Sequence, residues 1–180
     1  MNAAQQRPRI SAFLALSLDG FIAGEDGALE WLTPYDGDSQ DETGYSALMA
    51  SADALLMGRN SYETVLAFPE WPYGDKPVVV LTHRPAEPSA KVSFRQGELG
   101  QVLTDLWQEG ARHLYLDGGE VVRQGLQAGL VDELTLFWVP VVLDKGVSLF
   151  GGEPLPGRLI PVSSTVLASG LVRVSYRPAP

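Results

Sequence analysis

The chain has 180 residues, 45% hydrophobic and 19% charged, with a formal net charge of −9. That is the profile of one globular domain, large enough to bury a substantial core. There is no cysteine, and His83 and His113 are the two histidines, which excludes disulfides, thiolate chemistry and cysteine-ligated metals and gives no basis for a histidine-rich metal site. The acidic balance argues against nonspecific binding to nucleic acid or an anionic membrane, and no apolar run reaches the roughly eighteen residues of a membrane span. A cytoplasmic protein with a short frayed tail at Met1 to Arg9 is expected.

Ile10 to Leu18 reads as a central strand ending in an Asp19-Gly20 turn. A long polar connection carrying Trp31 and Pro34 leads to a helix over Tyr45 to Ser51, with Tyr45, Leu48 and Met49 on one face. Ala52 to Met57 has the length and apolarity of a doubly buried strand. Gly58 then turns the chain into a helix for which Asn60 and Ser61 are candidate N-caps and Glu63 a first-turn acid. Val78 to Thr82 is a β-branched strand, and Phe94 closes a short one. Glu98 to Glu109 is an amphipathic helix with Leu99, Val102, Leu103, Leu106 and Trp107 on its apolar face, stopped by Gly110. His113 to Leu116 is followed by Asp117-Gly118-Gly119 and a helix from Glu120 to about Gln127. Asp132 to Leu143 is a long strand in which Pro140 marks a bulge or an edge, and Leu159 to Leu167 with Leu171 to Arg177 form a terminal hairpin. Alternating strands and helices imply a parallel sheet with helical crossovers, completed by antiparallel strands.

In such sheets ligands bind beyond the carboxyl ends of the strands. Three of these ends carry suitable chemistry. Gly58-Arg59-Asn60-Ser61 offers a helix N-terminus with a guanidinium, Thr82-His83-Arg84 a hydroxyl and a cation suited to a ribose 2′-phosphate, and Gly118-Gly119-Glu120-Val121 a diglycine turn at a second helix N-terminus. Together they point to a phosphorylated dinucleotide.

These pieces, with Leu16-Ser17-Leu18-Asp19-Gly20-Phe21-Ile22-Ala23, Gly129-Leu130-Val131-Asp132-Glu133-Leu134 and Pro140-Val141-Val142-Leu143, stand in one order over nearly the whole chain. In that order the chain resembles the dihydrofolate reductase-like superfamily. Its nearest likeness there is to stand-alone proteins similar to the reductase domain of the bacterial riboflavin-biosynthesis deaminase-reductase. The resemblance implies a three-layer α/β/α fold with a mixed, mainly parallel eight-stranded sheet and an antiparallel C-terminal hairpin. It also implies NADPH as hydride donor and a homodimer through the C-terminal strands. Arg59, Asn60 and Ser61 beside Gly58 would hold phosphates, Thr82, His83 and Arg84 the adenosine end, and Gly118, Gly119, Glu120 and Val121 the pyrophosphate, with Ala15 and Ile22 lining the nicotinamide. Several features depart from the riboflavin-type pattern, among them Asp117 where that group carries a glutamate and Asp144-Lys145-Gly146 where relatives have a glycine-rich turn. Phe21 replaces a lysine after the Asp-Gly pair, and Met57 to Tyr62 replaces a Gly-Thr-Val-x-x-Asp-x-Pro stretch. The cysteine-dependent deaminase half is not expected.

Reduction of a C=N or C=O bond needs a proton beside the hydride, and a carboxyl with a raised pKa is the usual donor. Counting forward from Trp31 in the dihydrofolate reductase register gives Asp36, and counting back from Arg59 gives Glu42. Asp19 and Asp117 are candidate substrate anchors, and Phe13, Trp31, Tyr45, Met49 and Trp138 candidate flat walls for a heterocycle. The expected activity is NADPH-dependent reduction of a pterin- or pyrimidine-like or carbonyl substrate. Two alternatives are a riboflavin-pathway ribosylaminopyrimidine phosphate reductase, which would need cations such as Lys76, Lys145 and Arg158, and a non-catalytic nucleotide-binding or regulatory module.

Overall fold

The computed structural model describes residues 6–84 and 86–180. Its first strand, β1 (Arg9–Ser17), is followed by a short β2 (Phe21–Ala23), a 3-10 turn over Glu30–Tyr35, α1 (Gln40–Thr43) and α2 (Tyr45–Ser51). Next come β3 (Ala54–Gly58), α3 (Arg59–Leu66), β4 (Val78–Leu81), β5 (Val92–Arg95), α4 (Leu99–Gln108), β6 (His113–Asp117) and α5 (Gly119–Gln127). The chain ends with β7 (Glu133–Val139), β8 (Val147–Ser148), β9 (Leu159–Val166) and β10 (Val172–Pro178).

Eight strands form one sheet in the order β5-β4-β3-β6-β1-β7-β10-β9, and β2 pairs with β8 as a separate ribbon. Every pair from β5 to β7 is parallel; β10 pairs antiparallel with both β7 and β9. The side-chain period of two sends successive residues to opposite faces. Leu55 and Met57 of β3 therefore join a cluster with Val65 of α3 and with Tyr45 and Met49 of α2. Ala54 and Leu56 join a larger cluster with Leu99, Val102, Leu103 and Leu106 of α4 and Val121, Val122 and Leu126 of α5. The result is the expected three-layer α/β/α arrangement.

Several local expectations are corrected. Part of the tail expected at Met1 to Arg9 lies outside the described residues, but Arg7 is anchored there: its guanidinium donates to both Asp132 carboxylate oxygens at 2.7 and 2.8 Å, and Arg9 opens β1. The strand expected over Asp132 to Leu143 stops at Val139. It lies between β1 and β10, where a proline cannot supply the ladder N–H, so Pro140 ends it. Asn60 and Ser61 are not N-caps, since Gly58 is extended (φ −80°, ψ 168°) and α3 begins at once at Arg59. Glu63 consequently pairs with Arg59 one turn away, at 2.7 Å, instead of serving the first turn. Trp138 faces the α4–α5 core and not the layer containing Phe13 and Tyr45.

Candidate active site

Parallel strands place their carboxyl ends along one edge, and the ends of β3, β4 and β6 meet there. They enclose a cleft of about 450 Å³ lined by Gly58, Arg59, Asn60, Ser61, Thr82, His83, Arg84, Glu120 and Val121. All nine are sequence-predicted. Leu81 at the end of β4, Gly97 and Glu98 ahead of α4, and Gln124 complete the wall. Gln124 was legible as the residue one turn after Glu120 on the same helix face, and it donates to Glu120 at 3.0 Å. Gly97 and Glu98 carry no distinguishing local pattern.

Two helices, α3 and α5, start at this cleft, and neither has a side-chain cap on its first N–H groups. Their positive dipole ends and free donors converge on one space, an arrangement suited to anionic oxygens. Arg59 contributes differently from expectation. Its Nε donates to Glu63 at 2.7 Å and its Nη1 to the Arg84 carbonyl at 3.0 Å, so it braces the turn that carries Arg84. Thr82 supports the same turn, its hydroxyl accepting the Arg84 N–H at 3.1 Å. Gln124 and then Arg123 hold the Glu120 carboxyl below its ordinary range.

The glycine pair also has a different local use. A Cβ on Gly118 would lie 2.0 Å from Ser61 Oγ, and one on Gly119 would lie 1.9 Å from Ile22 Cδ1. On the side where a Cβ would stand the space is filled by Ser61 and Ile22, which draw α3 and β2 against the start of α5. Gly118, Gly119 and Ile22 build the cleft without lining it, and Ala15 borders a separate basin with Phe13, Phe137 and Asp36.

Around β6 the face toward α2 is aromatic. Phe13 lies 5.8 Å from Tyr45, 6.4 Å from Tyr115 and 4.6 Å from Phe137, ring centre to ring centre. Met49 packs on the same cluster, whereas Trp31 belongs to the cluster around Phe137, Val139 and Leu171, on the other side of Phe13. Asp117, the last residue of β6, accepts a 2.6 Å hydrogen bond from the Tyr73 hydroxyl. Burial pushes the Asp117 carboxyl up from its ordinary value; the Tyr73, Gly118 and Tyr115 donors oppose that rise without cancelling it. Burial, and then the Asp117 charge, push the Tyr73 hydroxyl up as well. Tyr73 was missed in the sequence because its pairing with Asp117 spans 44 positions and follows no motif.

The remaining acids divide clearly. Asp19 accepts from the Ser17 hydroxyl at 2.6 Å and from the Leu143 and Asp144 N–H groups at 3.1 and 2.7 Å, clamping the segment after β7 to the end of β1. The Ser17 hydroxyl leads in holding its carboxyl below the ordinary range. Asp36 borders the basin over Ala15, Glu42 is exposed on α1, and neither Glu42 nor Asp117 lines the cavities described. Among the described residues no group of three His, Cys, Asp or Glu comes together as a metal site would require. No helix among them is long and apolar enough to cross a membrane.

The chain is similar to proteins of known sequence and structure. The uncharacterized protein YwjB of Bacillus subtilis (strain 168) is 34% identical over 141 residues, covering 77% of this chain and 80% of its own. The crystal structure of a Shewanella sp. PV-4 protein, whose name provisionally assigns it to riboflavin biosynthesis, is 35% identical with a TM-score of 0.88. The match covers 96% of this chain and 99% of that one. Enterococcus faecalis dihydrofolate reductase complexed with NADP(H) shares the fold, at a TM-score of 0.67 and 17% identity over 98% of each chain. The RibD C-terminal domain family matches residues 8–173, and the chain belongs to that family.

Proposed function

We propose that the protein is an NADPH-dependent reductase of a small heterocyclic, pterin- or pyrimidine-like, or carbonyl substrate. The observation that carries this reading is the convergence of two uncapped helix N-termini and the Arg84 turn on one cleft. That donor set fits a dinucleotide carrying an extra phosphate. Asn60 and Ser61 at the start of α3 and Glu120 and Val121 at the start of α5 would hold the phosphates. Thr82, His83 and Arg84 would hold the adenosine end, with Arg59 bracing their turn. NADPH supplies the hydride when bound.

The chain's own contribution is a proton and a shaped wall. Asp117 is the acid this reading favours over Glu42 and Asp36, because burial keeps its carboxyl protonated to higher pH and the Tyr73 hydroxyl fixes its orientation. Phe13 and Tyr45 offer flat apolar surfaces on the same layer. The reading includes access to a cytoplasmic NADPH pool and a homodimer through the C-terminal strands, where β9 is a sheet edge exposing Val162 and Val166.

For the ribosylaminopyrimidine phosphate alternative, the cation set is reduced. Lys76 bonds the Ala52 carbonyl ahead of β3, and Arg158 precedes β9, both at the sheet edge opposite the cleft; Lys145, beyond the end of β7, remains. Substrate-dependent oxidation of NADPH, assayed against dihydropterins, the phosphorylated pyrimidine and small carbonyl compounds, tests the reading. Turnover with at least one class is expected. Binding of NADPH without oxidation by any of them would assign the cleft to a regulatory module instead.

A further inference from the structure

The layer beneath α2 changes character along β1 and β7. On this face the two strands present, in register, Ser11 beside Glu133, Phe13 beside Thr135 and Ala15 beside Phe137, so the face turns from polar to apolar toward the carboxyl ends. A sheet face under a helix is ordinarily apolar, so the polar half is unexpected for packing alone. There the sheet forms the floor of a separate cavity of about 360 Å³, walled by Leu48 and the rest of the exposed turn of α2. That size is within the range of small-molecule sites, about 300–1,000 Å³.

The polar groups of the floor partner one another. Ser11 Oγ lies 2.8 Å from His113 Nε2, and Thr135 Oγ1 lies 3.1 Å from Ser175 Oγ. At the rim, Arg9 is paired with Glu133. Arg173 is not charge-paired: its guanidinium donates to the Glu42 carbonyl at 2.8 Å and to the Thr165 hydroxyl at 3.5 Å, and it forms no ion pair among the described residues. Two arginines therefore face one glutamate, a local positive excess in a chain whose net charge is −9. An uncompensated guanidinium, with the Phe13 ring and the Leu48 side chain as the apolar parts of the lining, matches an anion with an apolar body.

We propose that this cavity is a second ligand site, for a compact organic anion whose carboxylate or phosphate meets Arg173 and whose body lies against Phe13 and Leu48. It shares no lining residue with the cleft at the ends of β3, β4 and β6, and Phe13 is the residue it has in common with the walls proposed for the reductase substrate.

Calorimetric titration of the full chain with benzoate, phenyl phosphate and uncharged benzyl alcohol tests the site. At least one anion is expected to bind tenfold or more tightly than the alcohol, and comparison of the two anions identifies the preferred head group. Arg173→Met is expected to erase that preference. Ala47→Trp, at an exposed position on the wall that alters no charge, is expected to weaken the preferred anion at least tenfold, and it keeps the test valid if Arg173→Met does not fold. Equal binding of anion and alcohol, or full retention of anion binding in the folded Arg173→Met or in Ala47→Trp, would overturn the proposal.

Discussion

Asp117→Asn is expected to slow substrate-dependent NADPH oxidation by about 10²–10⁴-fold, the usual worth of a positioned general acid, while leaving the fold at least as stable at neutral pH. Asparagine keeps an acceptor for the Tyr73 hydroxyl but has no acidic proton to transfer. The stability side follows from linkage. Burial raises the folded carboxyl above its ordinary 3.8, so between that value and the raised one the native state binds more protons than the unfolded chain. In that window stability falls as pH rises. The variant lacks this loss and should gain on the parent protein as pH climbs, with no difference in slope below the ordinary value. Acids held low in the folded state, such as Asp53 and Asp132, give the opposite slope in both proteins and cancel in the comparison. Denaturant melts at several pH values, paired with rate measurements, check both halves. An Asp117→Asn protein with full activity would remove Asp117 from the chemistry.

Gly118→Ala should be the most damaging small substitution at the cleft. Gly118 has φ +96° and ψ 141°, a region that residues with a Cβ avoid at a cost of about 1–3 kcal/mol. Its added carbon would also meet Ser61 Oγ at 2.0 Å and Ser61 Cβ at 2.9 Å, and overpacking of this kind costs about 1–3 kcal/mol. The Ser61 hydroxyl can rotate away, but its Cβ is fixed to the first turn of α3. A loss of roughly 3 kcal/mol or more is expected, lowering Tm by roughly 6–12 °C for a chain of this size. Gly119→Ala should be milder, since Ile22 Cδ1 is the end of a flexible side chain. Adding Ser61→Ala to Gly118→Ala should recover part of the loss and leave the backbone part. A Tm for Gly118→Ala within about 2 °C of the parent would refute the crowding at this junction.

Much of the fold was legible because strand and helix periods are strong in this chain. The α2 boundaries at Tyr45 and Ser51 coincide with the expected ones, and α4 differs only at its flanking glutamates. The cleft was legible for a topological reason. If the strands are parallel, the residues following each strand must gather at one edge, so Gly58, Thr82 and Glu120 could be grouped without knowing any distance. What remained hidden depends on contacts far apart in sequence. The β2–β8 ribbon has three residues on one side and two on the other, too few for a period to register. The grip of Asp19 on Leu143 and Asp144 cannot be separated in sequence from an ordinary Asp-Gly turn. The close approach permitted by Gly118 and Gly119 was anticipated, but the groups that approach are Ser61 and Ile22, which only the packed structure identifies. For the acid, distance along the chain from Trp31 or Arg59 gave two different residues, and the intervening segment folds into a 3-10 turn and α1 that leave Glu42 exposed.

Titration with NADPH, with NADH alongside and with Arg84→Ala and Arg59→Ala as variants, tests the cleft most directly. NADPH should bind at least tenfold more tightly than NADH. Arg84→Ala should abolish that preference through loss of its cation, and Arg59→Ala should weaken it by releasing the Arg84 turn. No binding of either nucleotide would contradict the assignment of the cleft and, with it, the proposed reduction.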